Sequence, residues 1–580
     1  MKLTLTLLLF FASALAVAQQ PLRIPDTLSG PEYELVLREG ATEFFPGIRT
    51  RTMGVNGDVL GPTLLLNKYD DVSLRVINQL SDTTTLHWHG LHVAARNDGG
   101  PHSTIAPGAT WNPRFTVLDW ASTYWYHPHP HHRTNEHVSL GISGLIIVRD
   151  SAEARLQLPR RYGVDDFPLV VQSRDFDGSG QIAMHTAHDS TLMVNATIKP
   201  YLDVPAQIVR FRLLNGSSER TYLFGLSDNR PFHQIASDGG LLSTPVRMTR
   251  LMLSPGERAE ILVDFSNQRG QNVLLMNFGS EIPSGIYGAA QPGMGPGQTI
   301  PGYTANPLNG RNRSVLEFRI GDANAEAITS LPTSLVPHAP WPASSADTTR
   351  TFTFMSSIMG PRAIEGPFMI NDVHFDPDII NEYIPFENVE VWELRNMTPI
   401  AHPFHIHDVQ FCILSINGVS PPPGLAGRKD VVLVPPGNGV VRFITKFETH
   451  HDNTFPYMYH CHLLTHEDHG MMGQFIVSSP PVSTFREIPT VRDRAVLREI
   501  HPNPASDVVT LRYELPSAGH ARLQVFDAMG RLVATLVNSE QQSGVHQTRF
   551  TAAGLPPGMY TCVLRTTDGS AAMRTFILLR

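Results

Sequence analysis

A threefold repeat of strand-forming sequence is the feature that most limits how this chain can fold. Each copy opens at an asparagine in a short segment: GVNG at Asn56, MVNA at Asn195 and MIND at Asn371. Each then continues to a strand that ends in asparagine, SLRVINQL, VRFRLLNGS and VEVWELRNMT. Apolar and polar residues alternate in several of these segments, which is typical of β-strands with one buried face. Because self-similarity of this kind indicates copies of one domain, the sequence predicts three β-sandwiches.

The length of the chain leaves room for more than these three domains. A chain of 580 residues is too long for a single core, and the residues after the third copy form a further strand-rich segment of a size that can fold alone. The predicted divisions are a signal peptide at 1–18, β-sandwich domains at 19–150, 165–320 and 350–478, and a C-terminal domain at 500–580.

The N-terminus has the pattern of an export signal. Lys2 precedes an apolar run from Leu3 to Leu15, and Ala16 and Ala18 supply the small residues of a cleavage site. The run is too short to span a membrane. The net charge is −8, and the sequence contains no basic stripe that would indicate nucleic-acid binding. We therefore expect an exported monomer with no transmembrane segment that does not bind nucleic acid.

Four histidine clusters lie in the first and third copies and have no counterpart in the middle copy. They are HWH at 87–89, HPH at 127–129, HPFHIH at 402–407 and HCHLLTHEDHGM at 460–471. Side chains alternate along a strand, so His460 and His462 project to one side and Cys461 to the other. One short segment could therefore hold two metal centres and join them covalently.

The residue types in these clusters favour copper. Two histidines, a cysteine and a weak thioether ligand make a blue-copper electron-transfer site, and the candidates here are His402, Cys461, His466 and Met471. Zinc is a poorer choice because it has no redox chemistry. Eight further histidines form four pairs that could surround three metals between the first and third copies: His87, His89, His127, His129, His405, His407, His460 and His462.

With these motifs, residues 25–478 resemble the three-domain multicopper oxidases, which include laccases, bilirubin oxidase and the bacterial cuprous oxidase. The resemblance implies cupredoxin-like Greek-key domains and four copper ions, one of type 1, one of type 2 and two of type 3. By position, His402, Cys461, His466 and Met471 resemble the type 1 ligands, and His87 and His405 the type 2 ligands. The type 3 ligands correspond to His89, His127, His129, His407, His460 and His462.

Two acids also match the family pattern. Asp98 lies in HWHGLHVAARNDGGP and Glu467 directly follows His466. The resemblance implies that both are catalytic, as carboxylates that supply protons for the reduction of dioxygen. The alternative is that both merely orient ligands and waters. The resemblance also implies that electrons enter at the exposed edge of His402 or His466.

The electron donor is less constrained than the metal sites. A laccase-like oxidation of phenolic or other aromatic donors, with dioxygen as acceptor, is the leading interpretation. The alternatives are oxidation of Cu(I) or another metal ion in copper tolerance, and a non-catalytic cupredoxin scaffold. The segment 321–368 contains only a few methionines, which weakens the cuprous oxidase interpretation. A copper nitrite reductase is a further alternative, but its copper sites are arranged differently from the arrangement that the HCH motif and the four histidine pairs favour.

Residues 500–580 resemble the C-terminal sorting domain of proteins exported by the type IX secretion system. The resemblance rests on the PNP opening, the segment VFDAMG and the segment GMY near the end. It implies a small immunoglobulin-like β-sandwich, the secretion machinery as a partner, and a secreted or cell-surface location after export through the periplasm. The alternative is an adhesive or spacer domain.

Overall fold

The computed structural model describes residues 18–184, 189–295, 297–358, 363–364, 366–479, 495–503, 505–527, 531–566 and 571–579. The predicted signal peptide lies outside this part of the chain except for its last residue. The chain forms two compact units, Met1–Pro481 and Val482–Arg580. In the described part, no helix is long and apolar enough to cross a membrane.

The first domain is a sandwich of two sheets around its own apolar core. One sheet has the strand order Thr27–Ser29, Thr63–Asn67, Gly144–Arg149, Ser122–His127 and His87–His89. The other has the order Ile48–Val55, Glu32–Phe45, Asp71–Asn78 and Thr110–Trp111, with Arg114–Thr116 also paired to Asp71–Asn78. The predicted alternation is visible in this last strand, where Val72, Leu74 and Val76 are buried.

The middle domain repeats the architecture with larger sheets. One sheet has the order Thr197–Ile198, Thr191–Val194, Asp166–Phe176, Ile208–Asn215, Arg258–Asp264, Phe232–Ser237 and Gly240–Met248, with Ile182–Ala183 paired to Asp166–Phe176. The other has the order Gln20–Pro21, Pro200–Val204, Asn312–Ile320, Asn272–Phe278, Tyr222–Leu226 and Leu251–Leu253.

The third domain contains two five-stranded sheets. One has the order Phe368–Ile370, Thr348–Ser356, Val389–Asn396, Gly439–Lys446 and Cys412–Ile416. The other has the order Glu382–Pro385, Met472–Ser478, Tyr457–Cys461, His402–Ile406 and Val431–Val434. The described α-helices of the larger unit are short: Thr134–Leu140, Ser151–Ala154 and Leu464–Asp468.

The smaller unit is also a two-sheet β-sandwich with its own core. Its sheets have the orders Val496–His501, Val508–Leu515 and Gly544–Thr551, and Leu532–Gln541, Gly519–Asp527, Gly558–Thr566 and Ala571–Leu578. The predicted fold class, all-β with three sandwiches and a small C-terminal sandwich, is confirmed.

The repeated opening asparagines have the same physical role in all three copies. Asn56, Asn195 and Asn371 adopt left-handed backbone conformations, with φ of 55°, 47° and 55°, which asparagine tolerates better than most residues. Each side-chain oxygen accepts a hydrogen bond from a backbone amide of a neighbouring strand, at 2.7, 2.8 and 2.8 Å. The turn geometry therefore explains why this position recurs.

The N-terminal segment crosses the predicted boundary of the first domain. Gln20–Pro21 pairs in parallel with Pro200 and Tyr201 of the middle domain, and Leu22 belongs to the apolar core of that domain. Residues 20–22 therefore pack with the middle domain although they precede the first sandwich in the chain.

Candidate metal centre

The predicted mononuclear site assembles from the ends of two strands and the helix that follows them. Cys461 is the last residue of strand Tyr457–Cys461, and His402 begins the adjacent strand. The sulfur of Cys461 lies 3.5 Å from Nδ1 of His402 and 3.7 Å from Nδ1 of His466. These three donor atoms form a compact group that could hold one metal ion.

Neighbouring groups orient the donors of this site. Nε2 of His402 lies 2.7 Å from the hydroxyl oxygen of Thr398, which leaves Nδ1 facing the sulfur. The backbone of Met471 is tied to the site, since its carbonyl accepts from the amide of Cys461 and its amide donates to the carbonyl of His466. Burial raises the pKa of the Cys461 thiol, so a bound cation is needed to hold it as a thiolate.

Of the two residues predicted as the entry point for electrons, His402 or His466, only His466 has an exposed edge. His402 is fully buried, whereas His466 is partly exposed. The rings of both residues pack against Phe368, at centroid distances of 4.8 and 4.4 Å. The exposure of each histidine depends on tertiary packing, which the sequence motifs do not specify.

The eight remaining histidines converge at the interface between the first and third domains. Strand pairing places His87 opposite His127 and His405 opposite His460. The rings of His87 and His407 stack across the interface at a centroid distance of 3.9 Å, and those of His89 and His405 at 3.7 Å. The side chains of all eight are buried.

Within this cluster, two sets of three imidazoles are recognisable. Nε2 of His460 lies 3.1 Å from Nε2 of His129 and 3.4 Å from that of His407, and these three residues form a possible metal group. On the other side, Nδ1 of His89 lies 3.3 Å from Nε2 of His127. The ring of His462 lies within 5.4 Å of both their centroids.

The unpaired nitrogens of the cluster fit bound metal. Nδ1 of His87 and Nδ1 of His405 donate to backbone carbonyls at 2.9 and 2.8 Å, while their Nε2 atoms have no hydrogen-bond partner among the described residues. Both ring nitrogens of His462 also lack a hydrogen-bond partner among the described residues. Burial costs such polar atoms free energy, and neutral imidazole nitrogen is a good copper ligand.

Electrostatics keep most of these histidines neutral. Burial and the neighbouring imidazoles hold the pKa values of His89, His127, His129, His405 and His462 well below their usual range. A neutral ring can offer a lone pair to a metal, so the charge state suits ligation as well as the geometry does.

The two predicted acids contact different histidines of the cluster. A carboxylate oxygen of Asp98 lies 2.7 Å from Nδ1 of His407, and His407 and His87 hold the pKa of Asp98 below its usual range against the opposing effect of burial. Glu467 lies 3.3 Å from Nδ1 of His129 and 3.2 Å from Nδ1 of His460. These last two are close contacts without the alignment of a hydrogen bond.

Asp430 is a third acid at the cluster, and the sequence interpretation missed it. Its carboxylate lies 3.1 Å from Nε2 of His89, and its backbone carbonyl accepts from Nδ1 of His405. The available signal was a charged residue directly before the apolar strand VVLV, in GRKDVVLV. Such a charge is rarely buried unless it is paired.

Comparisons with known families match three segments of the chain. Models described as multicopper oxidase match residues 37–153 and 344–481. A model of the secretion system C-terminal sorting domain matches residues 499–578.

Similar proteins include a multicopper oxidase and a cell division protein. The multicopper oxidase mco of Staphylococcus haemolyticus is 33% identical over 77% of this chain and 88% of its own. The cell division protein FtsP of Escherichia coli is 32% identical over 80% of this chain and 94% of its own. Among solved structures, CueO from the lignin-degrading bacterium Ochrobactrum sp. is 34% identical, with a TM-score of 0.69 over 79% of this chain and 100% of its own.

Proposed function

This chain belongs to the multicopper oxidase family, and from that premise we propose that it is a secreted laccase-like enzyme. It couples the one-electron oxidation of phenolic and other aromatic donors to the four-electron reduction of dioxygen to water. The observation that carries the proposal is that the histidine and cysteine side chains gather into two groups, one of them fully buried, which His460, Cys461 and His462 join covalently.

Four coppers are the proposed cofactor. His402, Cys461, His466 and Met471 would hold one; His87 and His405 would hold a second; and His89, His127, His129, His407, His460 and His462 would hold a pair. Bound there, copper supplies a one-electron acceptor at the first site and a centre that reduces dioxygen at the cluster.

Cys461 and its two neighbours form the electron path of the proposal. The side chain of Cys461 faces the mononuclear site, while His460 and His462 face the cluster, as the alternation of side chains along a strand requires. The path therefore runs through covalent bonds of three consecutive residues. On the donor side, His466 is the partly exposed ligand, so an aromatic donor is proposed to dock against its edge.

Asp98 and Glu467 are the residues that we propose transfer protons. The Asp98 carboxylate keeps His407 oriented by accepting from Nδ1, and Glu467 lies between His129 and His460. Both carboxylates are buried within the cluster of imidazoles. We propose that these carboxylates take part in the proton transfer that dioxygen reduction requires.

The choice of donor class rests on one structural relative. The Ochrobactrum CueO is a laccase-like multicopper oxidase with oxidase activity towards lignin model compounds and lignosulfonate. Oxygen uptake by the copper-loaded full chain, measured side by side with a phenol, bilirubin and Cu(I), tests the proposal. We expect the phenol to support uptake and Cys461→Ser to abolish it. Faster uptake with Cu(I) alone would instead indicate a metal oxidase.

A second candidate function is a non-catalytic scaffold. The similarity to FtsP, a cell division protein, favours it. The two functions differ in copper: a scaffold without copper would show no intense blue absorption after copper loading and no oxygen uptake with any donor.

Export is proposed to use both ends of the chain. The C-terminal sorting domain implies passage to the cell surface or beyond, and we propose that the N-terminal signal delivers the chain to the periplasm first. Loss of extracellular protein after deletion of 500–580, with accumulation in the periplasm, would support this route. Unchanged secretion of the truncated chain would contradict it.

A further inference from the structure

We propose that Arg258, which belongs to the middle domain, is a positioning residue for the histidine cluster and acts on it through Asp430. The inference rests on the proposed function, because it assigns a role towards the proposed copper ligands. It also gives the middle domain, in which we assign no copper ligand, a direct part in shaping the metal site.

The first link is a buried ion pair between the middle and third domains. Nη1 and Nη2 of Arg258 lie 2.6 Å from Oδ1 and Oδ2 of Asp430, respectively. The two side chains are 0% exposed. A planar guanidinium fork matches both oxygens of a carboxylate at once, so the pair fixes the orientation of the carboxylate as well as its position.

The second link runs from Asp430 to two imidazoles of the cluster. Oδ1 of Asp430 accepts from Nε2 of His89 at 3.1 Å, which leaves Nδ1 of His89 facing the cluster. The backbone carbonyl of Asp430 accepts from Nδ1 of His405 at 2.8 Å, which leaves Nε2 of His405 facing it. Hydrogen bonds of this kind select the ring nitrogen that is available to a metal.

The guanidinium is itself held by all three domains. Besides Asp430, it donates to the carbonyl of Thr123 in the first domain at 3.1 Å, and to those of Asp238 and Gly256 in its own domain at 3.0 Å each. Lysine cannot reproduce this set, because a single ammonium group lacks the planar fork. Arg258 is therefore placed to fix the relation between the domains that supply the ligands.

The backbone beside Arg258 also contacts the cluster. Gly256 has φ of +84°, and a Cβ atom at this position would lie 3.0 Å from ring atoms of His462. Only a glycine allows both this conformation and this close approach without strain. The segment that contains Gly256 and Arg258 therefore approaches the cluster directly at His462 and, through Asp430, at His89.

The test compares Arg258→Lys with a matched control, Arg220→Lys, in the copper-loaded full chain. Arg220 is also fully buried in the middle domain and donates to both oxygens of one carboxylate, that of Asp189, and to Asn309. Copper retained after dialysis against a chelator is measured by elemental analysis. The blue absorbance per protein reports the mononuclear site, and electron paramagnetic resonance reports the type 2 copper.

We expect Arg258→Lys to retain the blue absorbance but to bind cluster copper about 10-fold more weakly, with an altered type 2 signal. Arg220→Lys should retain both. Equal copper retention in the two variants, or equal losses that include the blue absorbance, would overturn the inference. If Arg258→Lys does not fold, Asp430→Asn must show the same selective loss of cluster copper, and retention of that copper would overturn it.

A double variant tests whether Arg258 acts through Asp430. If it does, adding Arg258→Lys to Asp430→Asn lowers copper retention no further, whereas independent additive losses contradict the link. The wild-type protein separates the two proposals. Absence of copper from the wild type would overturn the proposed enzyme, whereas a copper-replete wild type with indistinguishable variants would overturn only the role of Arg258.

Discussion

Oδ2 of Asp98 lies 2.7 Å from Nδ1 of His407, and both side chains are buried at the junction of the first and third domains. The carboxylate comes from the first domain and the imidazole from the third. Because Asp98 accepts a hydrogen bond from Nδ1 of His407, Nε2 of His407 is left to face the cluster. The first and third domains must therefore be docked correctly for His407 to act as a proposed ligand.

Asp98→Asn should slow oxygen uptake about 10- to 100-fold. It removes the negative charge that orients His407, and it removes a carboxylate that is proposed to carry protons. The blue absorbance should be unchanged, since Asp98 does not contact the mononuclear site. Oxygen uptake and absorbance of the same preparation test both statements. Uptake within about twofold of wild type would exclude a proton role for this carboxylate.

Glu467→Gln separates a proton role of this residue from ligand orientation. An amide can still occupy the space between His129 and His460 but cannot carry a proton as a carboxylic acid does. We expect slower reoxidation by dioxygen and an unchanged rate of anaerobic bleaching of the blue absorbance by a phenol. If both half-reactions slow equally, Glu467 acts on the structure of the site as a whole.

Cys461→Ser and Cys412→Ser form a matched pair of buried cysteine substitutions. Cys461→Ser should remove the blue absorbance, one copper and all oxygen uptake, because serine does not provide the soft thiolate of this site. Cys412 lies 3.0 Å from Nε2 of His338, away from both metal groups, so its variant should keep all three properties. Blue absorbance that survives in Cys461→Ser would refute the assignment of the thiolate.

The gathering of the candidate ligands could be predicted from sequence because their spacing is local. A histidine two residues from another on a strand shares its face, so the motifs at 87–89, 405–407 and 460–462 specify their own geometry. Asp430 and Arg258 could not be found in this way. Their partners are distant in sequence, and only domain docking brings them within hydrogen-bonding distance. The packing of Phe368 against His402 and His466 likewise joins residues that are distant in sequence.

The stability of the protein should fall between about pH 6.5 and 9 through His92. Its side chain is largely buried, with Nδ1 2.8 Å from a carboxylate oxygen of Asp408 and the ring 4.7 Å from that of His450. Despite burial, the nearby carboxylates of Asp408 and Asp119 raise the pKa of His92 to about 9. The folded protein then binds this proton more tightly than the unfolded chain, so the contribution is complete below pH 6.5 and lost as pH rises through 9.

Thermal unfolding across this range, in wild type and His92→Gln, measures the contribution. The variant should unfold at a temperature that varies less with pH than that of wild type between 6.5 and 9. His451→Gln, at an exposed position that packs against Phe386, should follow the wild-type profile. Parallel profiles for wild type and His92→Gln would show that His92 does not control this dependence.

The central claim is that electrons taken up beside Cys461 reach a dioxygen-reducing cluster through His460 and His462. It is tested most directly by bleaching the blue absorbance of the copper-loaded protein anaerobically with a phenol and then admitting dioxygen. We expect the colour to return and no hydrogen peroxide to form. Colour that stays bleached, or that returns with release of hydrogen peroxide, would contradict it.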